Sequence, residues 1–195
     1  VHAGLFGPDD VVEVDGVVVT SLERTCVDLA TARDDLPEAL TVFDAALRAG
    51  ASTEGMERHL RRSKRGVAMA RRAYSFADPR AESPGESWSR AQMIDAALPL
   101  PDLQVEHLLG SGRLARCDFG VDGVFVGEFD GLVKYRREMR RGEPPEQVVI
   151  REKLREDGLR ALGLDVGRWI WDDLRAGRLV ARLEERYDRI GIRYG

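Results

Sequence analysis

At 195 residues, 43% of them hydrophobic and 33% charged, the chain has apolar material for one large domain or two small ones. No stretch is repeated or low-complexity, no apolar run approaches a membrane span, and no signal peptide is visible. The net charge of −4 hides an asymmetry, with 12 acids and 3 bases in residues 1–57 and 8 bases and 1 acid in residues 58–80, so bulk acidity does not exclude a nucleic-acid partner.

Residues 11–19, VVEVDGVVV, predict two short strands meeting at Asp15-Gly16, a type I′ turn pair. Thr20 to Glu23 has capping-box spacing, so a helix is expected from here to about Ala32, with Leu22, Cys26 and Leu29 as its apolar face. Pro37 opens a second helix carrying Leu40, Phe43, Ala46 and Leu47 at helical spacing, and Gly50 stops it. A third helix is expected from Thr53 and a fourth over about Val67–Ala77. Between them runs a basic stretch: Arg58, Arg61, Arg62, Lys64 and Arg65, then Arg71 and Arg72. It reads either as a phosphate-contacting stripe or as a solvated face that balances the acidic segment before it.

Ser83-Pro84-Gly85-Glu86 opens a helix over about residues 84–98, with Glu86 at the capping-box position and Trp88, Ala91, Ile94 and Leu98 as its apolar stripe. A strand follows at 103–109, with Ser111-Gly112 as its turn. Leu114 to Tyr135, LARCDFGVDGVFVGEFDGLVKY, then predicts two antiparallel strands around Asp122-Gly123. Asp118 rides on the first, and Glu128 and Asp130 on the second, two apart and so on one face. Buried acids are costly unless a cation compensates them, and a hard divalent ion prefers oxygen ligands. A two-residue turn would set Asp118 opposite Gly127 and aim the two acids apart. A three-residue connection at 122–124, or a bulge, sets Asp118 opposite Glu128. The competing reading is an acid–arginine network closing a hairpin, with Arg113 and Arg116 in reach.

Further basic residues follow at Lys134, Arg136, Arg137, Arg140 and Arg141. A helix is expected over 146–162, stopped by Gly163, then a strand over Leu164–Trp171 and a last helix over 179–189. Cys26 and Cys117 read as buried thiols of a reducing, cytoplasmic setting, and His2, His59 and His107 are too scattered for a zinc site.

The order helix–three strands–helix–strand, with SPGESWSR, LPLPDLQVE, CDFGVDGVFVGEFDG, EKLREDGLRALG and WIWDDL, resembles the PD-(D/E)XK nuclease superfamily, and within it small Vsr-like domains. The likeness covers roughly residues 81–190. DVVEVDGVVVTSLERTCVDLA and ALTVFDAALRAG resemble the C-terminal part of AbiEi-type antitoxins of type IV toxin–antitoxin systems. The sequence opens past the winged helix–turn–helix with which that family begins.

The resemblances imply an α/β (α+β) chain with an antitoxin-like module with a basic helical linker at 1–80 and a restriction-endonuclease-like domain at 81–195. The implied activity is Mg²⁺- or Mn²⁺-dependent hydrolysis of DNA phosphodiester bonds, with Asp118 and Glu128 as metal ligands and Glu86 matching an acid often found on the preceding helix. Asp130 stands at the usual lysine position, so Lys134 or Lys153 is the candidate replacement, and Gln104 is a weaker candidate. Glu86, Asp118, Glu128 and Asp130 form the expected metal set, and Arg61, Arg62, Lys64, Arg65, Arg136 and Arg137 the expected nucleic-acid contacts. The alternative is an inactive regulatory module that keeps the nuclease fold to bind DNA, a toxin or another protein.

Overall fold

The computed structural model describes residues 6–131 and 145–194. It shows a mixed α+β chain in two compact units, Val1–Ser87 and Trp88–Gly195. Lys134, Arg136 and Arg137, expected to contribute to the site, lie outside the described residues.

In the first unit, a 3-10 turn at Pro8–Asp10 leads into a hairpin of β1 (Val11–Val14) and β2 (Val17–Thr20). Asp15 and Gly16 both take positive φ, 51° and 78°, as a type I′ turn requires. The valines of this hairpin are mostly exposed, so the core of the unit is helical. Helix α1 (Leu22–Thr31) is capped by Ser21, whose Oγ accepts the Arg24 N–H at 3.3 Å. The cap therefore sits one residue later than the Thr20 box expected, and Glu23 is freed to accept the Ser52 N–H at 2.8 Å. The buried stripe of α1 is Cys26, Val27 and Ala30; Leu22 and Leu29 are exposed, which corrects the expected apolar face. Helices α2 (Leu36–Arg48), α3 (Thr53–Leu60) and α4 (Val67–Ser75) complete the core around Leu40, Phe43, Met56 and Ala70. Gly50 and Gly66 adopt the left-handed backbone where the chain leaves α2 and enters α4.

Helix α5 (Pro84–Asp95) begins at the edge of the first unit. The second unit holds a four-stranded sheet ordered β3 (Asp102–Leu108), β4 (Leu114–Val121), β5 (Phe125–Phe129), β6 (Asp165–Trp169). The first three strands form an antiparallel meander. β6 joins β5 in parallel after the crossover helix α6 (Pro145–Ala161), the connection a parallel pair needs. Two helices follow, α7 (Trp171–Arg175), whose first residue corrects the expected strand end at Trp171, and α8 (Arg178–Ile190).

One sheet face is aromatic. Trp169 stacks on Phe119 with ring centroids 5.2 Å apart, Phe125 meets Tyr187 of α8 edge-on at 5.3 Å, and Trp169 Nε1 donates to Ser89 of α5 at 2.7 Å. Gly127 and Gly167 make room for these rings: a Cβ at Gly127 would stand 2.5 Å from Trp169, and one at Gly167 2.8 Å from Phe125. The other face is covered by α6, where Leu159 packs with Cys117, Val126, Val166 and Leu164.

Candidate functional site

The register Phe119↔Gly127, Gly120↔Val126, Val121↔Phe125 leaves 122–124 as a three-residue connection, and its numbering, continued one residue past the last pair, sets Asp118 opposite Glu128. The odd-length link that an acid site needs is therefore present. On the far side of β5, Glu128 is the register partner of Arg168. On the near side of β4, the register numbering places Gln104 opposite Asp118, a position where β3 and β4 form no pair. Gln104 has φ +56°, a conformation that costs a non-glycine residue about 1–2 kcal/mol. One row across the sheet thus reads Gln104, Asp118, Glu128, Arg168, with the backbone irregular at its β3 end.

Asp118 and Glu128 are both buried, 8% and 6% exposed. Past Phe119↔Gly127, the last ladder pair of β4 and β5, Asp118 Oδ2 accepts the Phe129 N–H at 2.9 Å, so this carboxylate closes the seam between the strands. Glu128 is held from two sides: Oε1 by Arg155 Nη2 of α6, and Oε2 by Arg168 Nη2 at 3.5 Å. Arg155 Nε reaches Glu152 at 3.1 Å, while Arg168 lies 3.7 Å from Asp130, 3.8 Å from Glu152 and 3.4 Å from Glu156. Burial works against the charge on Arg155, but Glu128 and then Glu152 outweigh it and raise its pKa. Cys117, 3.8 Å from Arg155 Nη1, has its thiol pushed up to about 12 by burial and by the Glu128 charge.

Among the described residues, no three carboxylate, imidazole or thiolate side chains are grouped so as to hold a metal ion. The donor atoms are the oxygens Mg²⁺ or Mn²⁺ favours, but both Glu128 oxygens face guanidinium groups. As they stand, the residues do not fit a metal.

Of the other expected residues, Glu86 belongs to the first unit and is 1% exposed. It caps α5: Oε1 accepts from Ser83 Oγ at 2.8 Å, and Oε2 from the Glu82 N–H at 2.9 Å. Lys153 is exposed on α6, one residue round the helix from Glu152. Glu128 sits in an acid–arginine network that includes two residues other than the Arg113 and Arg116 expected from the hairpin, namely Arg155 and Arg168. Their signals were Glu152, Arg155 and Glu156 on one helical face, and a charged residue between Val166 and Trp169 in a buried strand.

The basic stretch meets the acidic segment in the same unit. Arg58 pairs with Asp9 at 2.7 Å, Arg62 with Asp10 at 3.2 Å, and Lys64 with Asp28 at 2.7 Å; Arg61 lies 3.8 Å from Glu57, and Arg65 is exposed.

Fold and site define a mixed α+β protein with two buried acids on its sheet, one of them flanked by partly exposed arginines. The chain is 36% identical over 182 residues, 90% of its length, to uncharacterized proteins of Mycobacterium tuberculosis strains CDC 1551 and H37Rv, and spans 64% of their length. No family model and no solved structure matches it. No helix of the described residues is long and apolar enough to cross a membrane.

Proposed function

We propose that the second unit is a restriction-endonuclease-like domain that engages a nucleic-acid backbone as a binding platform. The order helix–three strands–helix–strand, with the fourth strand parallel to the third, supports the fold. The observation that carries the platform reading is the engagement of Glu128 by Arg155 and Arg168, together with an acid at position 130. A buried carboxylate between two guanidinium groups has its charge compensated without a metal ion. The nucleic acid most consistent with the resemblance is DNA, bound through backbone charge with the salt dependence such contacts produce.

A second reading, metal-dependent DNA hydrolysis, is favoured by one specific observation: the connection at 122–124 is three residues long, the odd length that sets Asp118 and Glu128 on one face of a regular hairpin. Under it, Glu128 leaves its arginines, and Asp118, Glu128 and Asp130 are the oxygen donors for Mg²⁺ or Mn²⁺.

The experiment combines calorimetric titration of the whole chain with Mn²⁺ and incubation with plasmid DNA and either metal. The platform reading expects DNA binding that weakens with salt, no metal-binding heat and intact plasmid. Cleavage that disappears in Asp118→Ala replaces it with the hydrolytic reading.

A further inference from the structure

Away from the acid row, the first unit contains a cavity of about 230 Å³ lined by Arg24, His59, Arg62, Ser63 and Lys64. In liquid water each molecule takes roughly 30 Å³, so there is room for an oxyanion with part of its hydration shell. Two acids fix the cationic lining. Arg24 Nη1 and Arg62 Nη1 donate to Asp10 Oδ2 at 3.1 and 3.2 Å, Arg24 Nε donates to Asp28 Oδ2 at 2.6 Å, and Lys64 Nζ donates to Asp28 Oδ1 at 2.7 Å. Asp10 is fully buried and Arg24 only 14% exposed, so this part of the wall is held in place before any ligand arrives. His59, 3% exposed, adds an imidazole whose Nδ1 lies 3.5 Å from Asp10 Oδ1 without a hydrogen bond.

We propose that this cavity binds a phosphate group. Its lining offers two planar guanidinium groups, an ammonium and a hydroxyl, donors suited to the several acceptor oxygens of a tetrahedral anion. Three cations against Asp10 and Asp28 leave the wall net positive with His59 neutral. Arg62 and Lys64 thus combine with neighbouring His59 and with Arg24, which is far from them in sequence, into one concave site. The phosphate comes from a nucleic-acid backbone or a free nucleotide, and the site stands whichever reading of the second unit holds.

The test is an NMR titration of the whole chain with inorganic phosphate at constant ionic strength, following the amides of Arg24, His59, Ser63 and Lys64. Saturable shifts at these residues are expected, with affinity weakened about tenfold in Arg62→Gln and in Lys64→Gln. Lys64 bonds a half-exposed Asp28, so Lys64→Gln should keep the fold even if Arg62→Gln does not, and circular dichroism checks both. No saturable shift, shifts confined to other residues, or unchanged affinity in folded Lys64→Gln overturns the proposal. Parallel titrations with a short DNA duplex and with adenosine monophosphate identify the source by which one binds more tightly at the same residues.

Discussion

Glu128 of β5 and Arg168 of β6 are register partners in a parallel pair, and their side chains meet at 3.5 Å while Arg155 of α6 closes on the same carboxylate. Removing one partner of a buried pair leaves an uncompensated charge, which typically costs about 3–5 kcal/mol. Arg155→Ala is therefore expected to destabilise the chain by about 3 kcal/mol in urea unfolding. Arg155→Met with Glu128→Gln should recover most of that loss, since both charges then disappear together. A double variant as unstable as Arg155→Ala would show that the loss does not come from the stranded Glu128 charge.

The same pair decides how much of the site was legible in advance. Local chemistry was readable: Asp15-Gly16 as a turn, Gly50 and Gly163 as helix ends, Asp118 and Glu128 as buried acids. Alternation along β4 and β5 also set the odd loop length that an acid pair would need, and the connection at 122–124 has that length, although Asp118 turns to the Phe129 N–H and Glu128 to its arginines. What could not be read was the cation. Arg155 and Arg168 reach Glu128 only because a 17-residue crossover helix and a parallel strand return to it, and sequence spacing carries no direct information about such a return. The cap of α1 was misplaced by one residue because Thr20 and Ser21 are both good caps, and the choice falls to Ser21 once β2 claims Thr20.

Packing on the aromatic face gives a second expectation. Gly127→Ala puts a methyl group 2.5 Å from the Trp169 ring, which is stacked on Phe119 and hydrogen-bonded to Ser89, so the ring has little freedom to yield. Overpacking of this kind costs about 1–3 kcal/mol. Thermal unfolding should shift down, with loss of the near-ultraviolet circular dichroism of the tryptophans. An unshifted melting temperature would mean that this face is looser than the Phe119–Trp169 stack implies.

Acid should weaken the first unit in two stages. Burial lowers the His59 pKa from its ordinary 6.5, with Asp10 opposing and Arg62 assisting, so the folded state prefers neutral imidazole. The unfolded chain then binds the extra proton, and the His59 contribution is complete above about pH 6.5 and lost as pH falls below it. Asp10 is held at about 2, against an ordinary 3.8, chiefly by the Gly7 N–H, with burial opposing and Arg62 assisting. Its contribution is complete above about pH 4 and lost as pH falls toward 2. Melting temperatures measured from about pH 7 downward should fall first in the His59 range, and His59→Gln should flatten that first stage. A wild-type profile that stays level to about pH 5 would contradict this account of His59.

Both thiols should resist reagents that need a thiolate. Burial pushes Cys26 up to about 11, helped by Glu23, and Cys117 up to about 12, helped by Glu128. Neither should react with Ellman's reagent in the native chain near pH 8, and both should react once urea unfolds it. Rapid native labelling of Cys117 would show that the Arg155 side of the sheet opens readily.

Asp118 separates structural from chemical use of the acid row. Its Oδ2 accepts the Phe129 N–H at 2.9 Å, a job that the amide oxygen of asparagine can also perform. Asp118→Asn should therefore remain within about 1 kcal/mol of wild type. Asp118→Ala leaves a buried N–H without that acceptor and should lose about 1–3 kcal/mol. If the unit is a binding platform, Asp118→Asn binds DNA as the wild type does, at every salt concentration. If it hydrolyses DNA, Asp118→Asn abolishes cleavage while keeping its melting temperature, because the loss is then of a charged donor and not of the seam between β4 and β5.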